Sequence, residues 1–386
     1  MKILYIVSST DIYGGATKSF INMISGVAAA GNEVVVVLPA SDGLTGILKE
    51  KGIRTYVFKY GFDIWPKIRF GKGLLLYLPR LIRRFATNNK AVSELVRIVE
   101  EEQPDLIHTN VSPITIGYKA SKKCGVPHVL HIREYGDKDF NLNIRNVSEL
   151  IKESNTISIT KDIAAYRGVL GKPGHTVIYN GIFHESEFKY REGKEPFFLY
   201  AGRITEKKGI GLLIDGYIRY IKKYGGSYGL QIAGRVPDPK SQELVNSLKA
   251  ELERSGISDK VHWLGEIKDL SGYMQKTAAT IVPSYFEGFG RVMAEACFNG
   301  SLVVGYDSAG TKEQFDNGIE ITGNEIGLRF NDAEELGRQL IKVECHEIPV
   351  GLFVERAQET SKRLYTIETN VEHVIGFYKS ILNDEW

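Results

Sequence analysis

Two carboxylates eight positions apart, Glu287 and Glu295, close the run Glu287-Gly-Phe-Gly-Arg-Val-Met-Ala-Glu295. The apolar residues 279–283 before it have the pattern of a buried strand ending in a turn. After it, Val292, Met293, Ala296 and Cys297 recur at helical spacing. Glu287 therefore falls in the loop before a helix, and Glu295 about two turns inside it. Gly288 and Gly290, with Phe289 between them, leave the backbone bare at the helix start, where free N–H groups attract a diphosphate. A carboxylate beside an anion site suits a neutral ligand rich in hydroxyls, and a sugar joined to a nucleotide diphosphate has both properties. The competing explanation is a solvated Glu295 and a Glu287 that merely answers the helix dipole.

Gly202-Arg203-Ile-Thr-Glu-Lys207-Lys208-Gly209 forms a second constellation, between the strand-like residues 197–201 and a helical run. A guanidinium fork and a mobile ammonium, five positions apart around one turn, can reach the same diphosphate. Ordinary exposed charge is the alternative, and Lys207 stands beside Lys208 as a rival. Gly14-Gly15 follows the strand-like residues 2–8 and precedes a helical run, so a ligand can approach the backbone there. The full dinucleotide-binding glycine pattern does not follow it. His131 ends the apolar run 126–131, with Arg133 and Glu134 close by, and His108 competes from another strand-like segment. A lone histidine at a strand end is more often structural than catalytic. Asp137-Lys-Asp139 has the spacing of some metal sites, but no further ligands cluster in the sequence around it, so no metal site is expected.

Taken in chain order, the Gly14-Gly15 loop, the strand-borne His131, Gly202-Arg203…Lys208-Gly209 and Glu287-x7-Glu295 resemble the retaining nucleotide-sugar glycosyltransferases of the large GT4 family, which have the GT-B fold. The resemblance implies that Gly15, with Gly14 beside it, lies against the donor's phosphate and sugar. It implies that His131 hydrogen-bonds the sugar near its reacting carbon, and that Arg203 and Lys208 clamp the phosphates. Gly234, in Ile232-Ala-Gly234-Arg235, would line the nucleotide pocket, while Glu266 and Ile267 would meet the base through main-chain groups. Glu287 would hold sugar hydroxyls, Gly288, Phe289 and Gly290 the diphosphate, and Glu295 the ribose. The implied reaction moves a hexose, with retention, from a nucleotide-diphosphate sugar (a UDP-sugar in the first place) to a hydroxyl of a saccharide acceptor. Neither metal nor cofactor is expected, and surface polysaccharide or glycoconjugate synthesis is the expected setting. An epimerase of the same fold is one alternative, though no Glu-x7-Glu element of this form is expected there. A non-catalytic sugar-nucleotide-binding subunit is another; loss of Arg203, Lys208 or Glu287 would favour it, and all three are present.

These residues need strands and helices to hold them. Short β-rich runs alternate with helical ones through residues 1–185, break at the charged stretch 183–196, and resume through 196–365. Unbroken apolar runs such as 34–38 indicate strands covered on both faces, as in parallel sheets. The expectation is α/β: two doubly wound Rossmann-like domains facing across a cleft, of which the resemblance implies that the first binds acceptor and the second donor. For a last helix over 366–386, with Val371, Val374, Ile375 and Tyr378 on one face, the resemblance implies packing back on the first domain, while the sequence pattern alone would equally let it finish the second.

Composition excludes other classes. With 43% hydrophobic and 25% charged residues, the 386-residue chain has enough apolar content for two cores. Cys124, Cys297 and Cys345 are odd in number and far apart, which suggests neither a disulfide framework nor a zinc site and fits a reducing cytoplasm. The apolar residues 3–7 are too short for a signal-peptide core, and no run reaches the roughly 18 apolar residues of a spanning helix. Net charge is +2 overall but +7 over residues 1–190 and −5 over the rest. Residues 64–93 carry Lys67, Arg69, Lys72, Arg80, Arg83, Arg84 and Lys90 with no acid, among Trp65, Phe70, Leu74, Leu78, Ile82 and Phe85. That mixture suits peripheral contact with an anionic membrane, on its inner face, and a lipid-linked acceptor. A basic helix packed on its own sheet is the plainer explanation. Nucleic acid is not expected, because no binding motif accompanies the charge.

Overall fold

The computed structural model describes residues 1–8, 10, 14–65, 76–136 and 144–383, with only the backbone for 144–147. The chain divides into two compact units. Unit 1 comprises Met1–Gly181 and the chain from Ile367 onward, and unit 2 comprises Ile182–Thr366.

Unit 1 is built on seven strands: β1 (Lys2–Ile6), β2 (Glu33–Leu38), β3 (Arg54–Val57), β4 (Leu106–Thr109), β5 (His128–Ile132), β6 (Asn155–Ser158) and β7 (His175–Val177). Its helices are α1 (Gly15–Ala29), α2 (Gly43–Glu50), α3 (Tyr77–Glu102), α4 (Ile116–Cys124), α5 (Ile144–Glu153) and α6 (Lys161–Tyr166). The strand order is β3-β2-β1-β4-β5-β6-β7, with every neighbouring pair parallel. Both faces are buried. Val34, Val36 and Leu38 enter one apolar cluster, while Val35 and Val37 enter the cluster on the opposite face. Alternation of side chains across a pleated strand makes that division, and it is why the run contains no polar residue.

Unit 2 repeats the plan with β8 (Glu195–Ala201), β9 (Gly229–Ala233), β10 (Val261–Gly265), β11 (Thr277–Val282), β12 (Val303–Tyr306) and β13 (Leu328–Phe330). Its helices are α7 (Ile210–Lys222), α8 (Pro239–Arg254), α9 (Ser271–Lys276), α10 (Arg291–Phe298), α11 (Ala309–Thr322), α12 (Ala333–Glu344) and α13 (Val350–Leu364). The parallel order is β10-β9-β8-β11-β12-β13. The final helix, α14 (Ile367–Leu382), returns to unit 1. There Val371, Val374, Phe377 and Tyr378 join the core formed by α1 and the first strands.

Residues 183–196, read as a linker from their charge, are packed on unit 2. Ile182 N donates to Tyr365 O at 2.9 Å, and Phe188 stacks on Phe298 with ring centroids 4.1 Å apart. The aromatic residues outweigh the charges between them. Pro79 is the third residue of α3, where its missing N–H costs no helical bond, so it starts the helix rather than kinking it.

Strand order reverses between β1 and β4 in unit 1, and between β8 and β11 in unit 2. Loops leaving paired strands in opposite directions open a crevice at such a point, and ligands of wound α/β sheets bind there.

Candidate functional site

In unit 2 the reversal gathers the strongest motifs. The turn leaving β8 carries Arg203 and Lys208, and the loop leaving β11 carries Glu287 and Gly288. One glycine lets the two turns meet. Gly209 has φ +69°, and a Cβ there would lie 1.9 Å from the Pro283 carbonyl oxygen, so any side chain would push the loops apart. With the loops in contact, Lys208 Nζ donates to Glu287 Oε1 at 2.5 Å, both side chains being largely buried. The two residues expected to hold phosphate and sugar thus hold each other. Arg203 is exposed, and its backbone is fixed by the Tyr200 hydroxyl, which donates to Arg203 O at 2.8 Å.

The loop before α10 is clamped from α11. Gly310 N donates to Glu287 O at 2.9 Å, and Ser308 Oγ donates to Tyr285 O at 3.0 Å. Gln314 Nε2 donates to Gly290 O at 3.0 Å and also to Phe289 O. Phe289 is buried edge-on against Tyr365, and Gly290, at φ +83°, caps the helix. Sequence reasoning missed Ser308, Gly310 and Gln314; a glycine opening a helical run was the only signal there. Ala309 between them sits at φ +49°, a left-handed conformation that costs a non-glycine residue about 1–2 kcal/mol. Glu295 is the fifth residue of α10, just over one turn inside rather than two, and accepts from Arg291 Nη2 at 2.9 Å.

Gly234 follows β9 and has a structural reason of its own. A Cβ there would stand 1.8 Å from Gly202 O, and Gly234 N donates to Gly265 O at 2.7 Å. Close packing of adjacent turns therefore already requires glycine, whatever else the position does. Beyond β10, Glu266 is exposed and Ile267 packs on the unit 2 core, at the same sheet end but two strands out from β8.

In unit 1, Gly14 precedes α1 and Gly15 is its exposed first residue. His131 lies on β5 and His108 on β4, the adjacent strand, both buried. The two sequence candidates are therefore partners: His131 Nδ1 is 3.3 Å from His108 Nε2. His108 Nδ1 lies 2.6 Å from the Tyr378 hydroxyl of α14, and that hydroxyl lies 3.1 Å from the Tyr5 hydroxyl. Arg133 Nη2 also approaches His131 Nδ1 at 3.3 Å, while its other nitrogens reach Asn110 Oδ1 at 3.0 Å and Asn180 Oδ1 at 2.7 Å. Burial, with Arg133 adding to it, and with His128 acting on His108 and His108 on His131, holds both histidines well below their usual range. They are neutral at pH 7. His131 Nε2 is buried without a hydrogen-bond partner among the described residues. Glu134, which follows Arg133, is fully buried and accepts from Ser112 N at 2.9 Å; burial raises its carboxyl above the usual range.

Asp137 and Asp139 lie outside the described residues, as do residues 66–75 of the basic segment. Among the described residues no group of three or more His, Cys, Asp or Glu is arranged to hold a metal ion. Nor, among them, is any helix long and apolar enough to cross a membrane. The two explanations of the basic segment apply to different parts of α3. Residues from Asn88 onward bury Val92, Leu95 and Val99 on the unit, whereas Leu78 and Ile82 are 63% and 65% exposed beside exposed Arg80 and Arg83.

A family model described as glycosyl transferases group 1 matches residues 183–362, and one described as a glycosyl transferase 4-like domain matches residues 14–152. A lipopolysaccharide core biosynthesis mannosyltransferase of Rhizobium leguminosarum is 25% identical over 246 residues, covering 61% of this chain and 67% of that protein. The alpha-monoglucosyldiacylglycerol synthase of Acholeplasma laidlawii is 25% identical over 389 residues, covering 91% and 90%. Among solved structures, the Anabaena protein HepE in complex with UDP superposes with a TM-score of 0.79 at 20% identity, covering 98% of this chain and all of that one. Sucrose-phosphate synthase of Thermosynechococcus elongatus superposes at 0.74 and 17% identity, over the whole of both chains.

Proposed function

Because the chain belongs to the GT4-type glycosyltransferases of GT-B fold, we propose that unit 2 binds a nucleotide-diphosphate sugar, a UDP-sugar in the first place, and that its hexose passes with retention to a saccharide hydroxyl. The observation that carries this reading is the gathering of Arg203, Lys208, Glu287 and the α10 N-terminus at the β8–β11 reversal. Negative charge develops on the departing diphosphate as the glycosidic bond breaks. Arg203, Lys208 and the amides near Gly288–Gly290 answer it without a metal ion. Donor binding gives Lys208 a diphosphate in exchange for Glu287, which leaves the Glu287 carboxylate for sugar hydroxyls. Glu295, steadied by Arg291, takes the ribose, and the turn at exposed Glu266 and part-buried Ile267 takes the base. His131 offers Nε2–H to the sugar, with Gly15 at the phosphate. A UDP-sugar donor is supported by the HepE complexes with UDP and with UDP-glucose.

The acceptor we propose is lipid-linked, in surface polysaccharide or glycolipid synthesis. Two relatives named for a lipopolysaccharide core and a diacylglycerol glycolipid support it, as does the outward apolar and basic start of α3. Such a face places a peripheral enzyme at an anionic membrane.

The test is a thermal-shift screen of UDP-, GDP-, ADP- and dTDP-sugars. A ligand at 100 times its dissociation constant stabilises the folded state by about 2.7 kcal/mol, a shift of several degrees. One class should raise the melting temperature, and the Arg203→Ala variant should lose the effect. No shift with any nucleotide sugar at millimolar concentration would sink the reading.

A further inference from the structure

We infer that Arg133 and the buried chain Tyr5–Tyr378–His108 jointly set the tautomer of His131, so that its proton is carried on Nε2, and that Tyr378 and His108 are positioning residues for it. This rests on the reading of His131 as the contact to the donor sugar. A guanidinium has no lone pair, so where Arg133 Nη2 meets His131 Nδ1 at 3.3 Å the imidazole nitrogen accepts. His108 Nε2, at 3.3 Å from the same Nδ1, must then be the second donor. A neutral His108 that donates from Nε2 can only accept at Nδ1, and the Tyr378 hydroxyl 2.6 Å away supplies that proton. Tyr378 oxygen in turn accepts from Tyr5 at 3.1 Å. Every proton in the chain points toward His131. The remaining nitrogen, Nε2, bears hydrogen, is buried, and has no partner among the described residues.

An unpartnered buried donor costs roughly 1–3 kcal/mol and persists where a ligand satisfies it. The ligand atom it fits is a neutral or partly anionic oxygen, such as a sugar hydroxyl. It does not fit a proton to be removed, because in this tautomer Nε2 has no free lone pair. His131 is thereby a hydrogen-bond donor and not a general base. The arrangement also gives α14 a task beyond packing, since its Tyr378 hydroxyl donates the proton that orients His108.

The test is NMR of the chain labelled with ring-15N histidine, comparing the wild type with Tyr378→Phe, His108→Leu and His108→Gln. In His108→Gln the amide oxygen accepts from Tyr378 and the amide nitrogen donates to His131, which keeps the direction of the chain. Expected are Nε2–H for His131 in the wild type and in His108→Gln, and a mixture with Nδ1–H in Tyr378→Phe and His108→Leu, where Nδ1 no longer has an oriented donor from His108 beside the long contact to Arg133. Nδ1–H in the wild type, or no change in the tautomer of Tyr378→Phe and His108→Leu, overturns the inference. Turnover is read in parallel as UDP released from UDP-glucose. Tyr378→Phe should lower kcat roughly ten-fold, the worth of one orienting hydrogen bond, with KM little changed. His108→Gln should recover most of what His108→Leu loses; buried packing alone would favour leucine over glutamine. If His131→Ala leaves turnover intact, the reading of His131 as a sugar contact fails, while the tautomer result stands or falls on the spectra. If His131→Ala is impaired and Tyr378→Phe is not, the positioning role fails and that reading survives.

Discussion

Mild acid should destabilise unit 1 well before unit 2. Three histidines of unit 1, His108, His128 and His131, are buried. Burial pushes His128 down to about 3, and holds His108 and His131 well below the usual imidazole range. With the folded value below the unfolded one, the unfolded chain takes up protons as pH falls through about 6.5 while the folded chain does not. The stabilisation is therefore present above pH 6.5 and is lost progressively as pH falls toward the folded values. At pH 5.5 each such histidine costs about 1.4 kcal/mol, so three cost about 4 kcal/mol, and part-buried His175, which burial pushes down to about 4, adds a smaller, solvent-screened amount in the same sense. Glu134 works in the opposite sense, since its raised carboxyl gains stability as pH falls, and it trims that sum. Carboxylates with lowered values, such as Glu102 and Glu334, each at about 2, lose their contribution only below the ordinary carboxylate range. Unit 2 has His184, His262 and His346, all exposed. With a urea slope of about 2 kcal/mol per molar, the unit 1 midpoint should fall by about 1.5–2 M between pH 7.5 and 5.5, and the unit 2 midpoint far less. Pulse proteolysis in urea, reading β4 and β5 peptides against β8 and β11 peptides by mass spectrometry, separates the two. His128→Gln, which can keep the contacts to Thr109 Oγ1 and Ser154 Oγ, should remove about a quarter to a third of the difference. Equal shifts in both units would refute the burial argument.

Glu287→Ala and Lys208→Ala should each cut transfer by about 100-fold or more, and the double variant should cost much less than the product, because the two form one pair. Steady-state kinetics with saturating donor decides it, and near wild-type turnover for Glu287→Ala would remove the central assignment. Arg203→Lys should weaken UDP-sugar binding at least ten-fold, since an ammonium cannot reproduce a bidentate phosphate contact; calorimetry measures it. Activity should survive EDTA, and complete loss restored by Mn²⁺ or Mg²⁺ would revive Asp137 and Asp139. Anionic vesicles at low salt should sediment the protein and neutral ones should not, with Arg80, Arg83 and Arg84 each changed to Glu abolishing the difference; indifference of the wild type to vesicle charge would end the membrane reading.

The wound α/β plan was legible because burial on both faces writes itself as unbroken apolar runs, as in β2, and because glycines punctuate the strand ends. The pairing of Lys208 with Glu287 was legible as two motifs, though not as a contact: 79 positions separate them, and the reason they meet is Gly209 against the Pro283 carbonyl just past β11. Backbone clamps left still less trace. Gln314 acts through two carbonyls of the Phe289–Gly290 loop, and a helical glutamine looks the same in sequence whether it does this or faces water. The histidines show the limit most clearly. His108 and His131 read as rivals for one role, because the pattern places each on a strand without saying that the strands are neighbours. Tyr378 read only as one member of the helical stripe 371, 374, 375, 378. Hydrophobic periodicity reports the ring and is blind to the hydroxyl, whose partner lies 270 positions earlier. A phenylalanine would have satisfied the same stripe. What makes the tyrosine worth its polar atom in a buried core is a hydrogen bond that can be formed only after the last helix has returned to the first unit, so the orientation of His131 depends on the end of the chain.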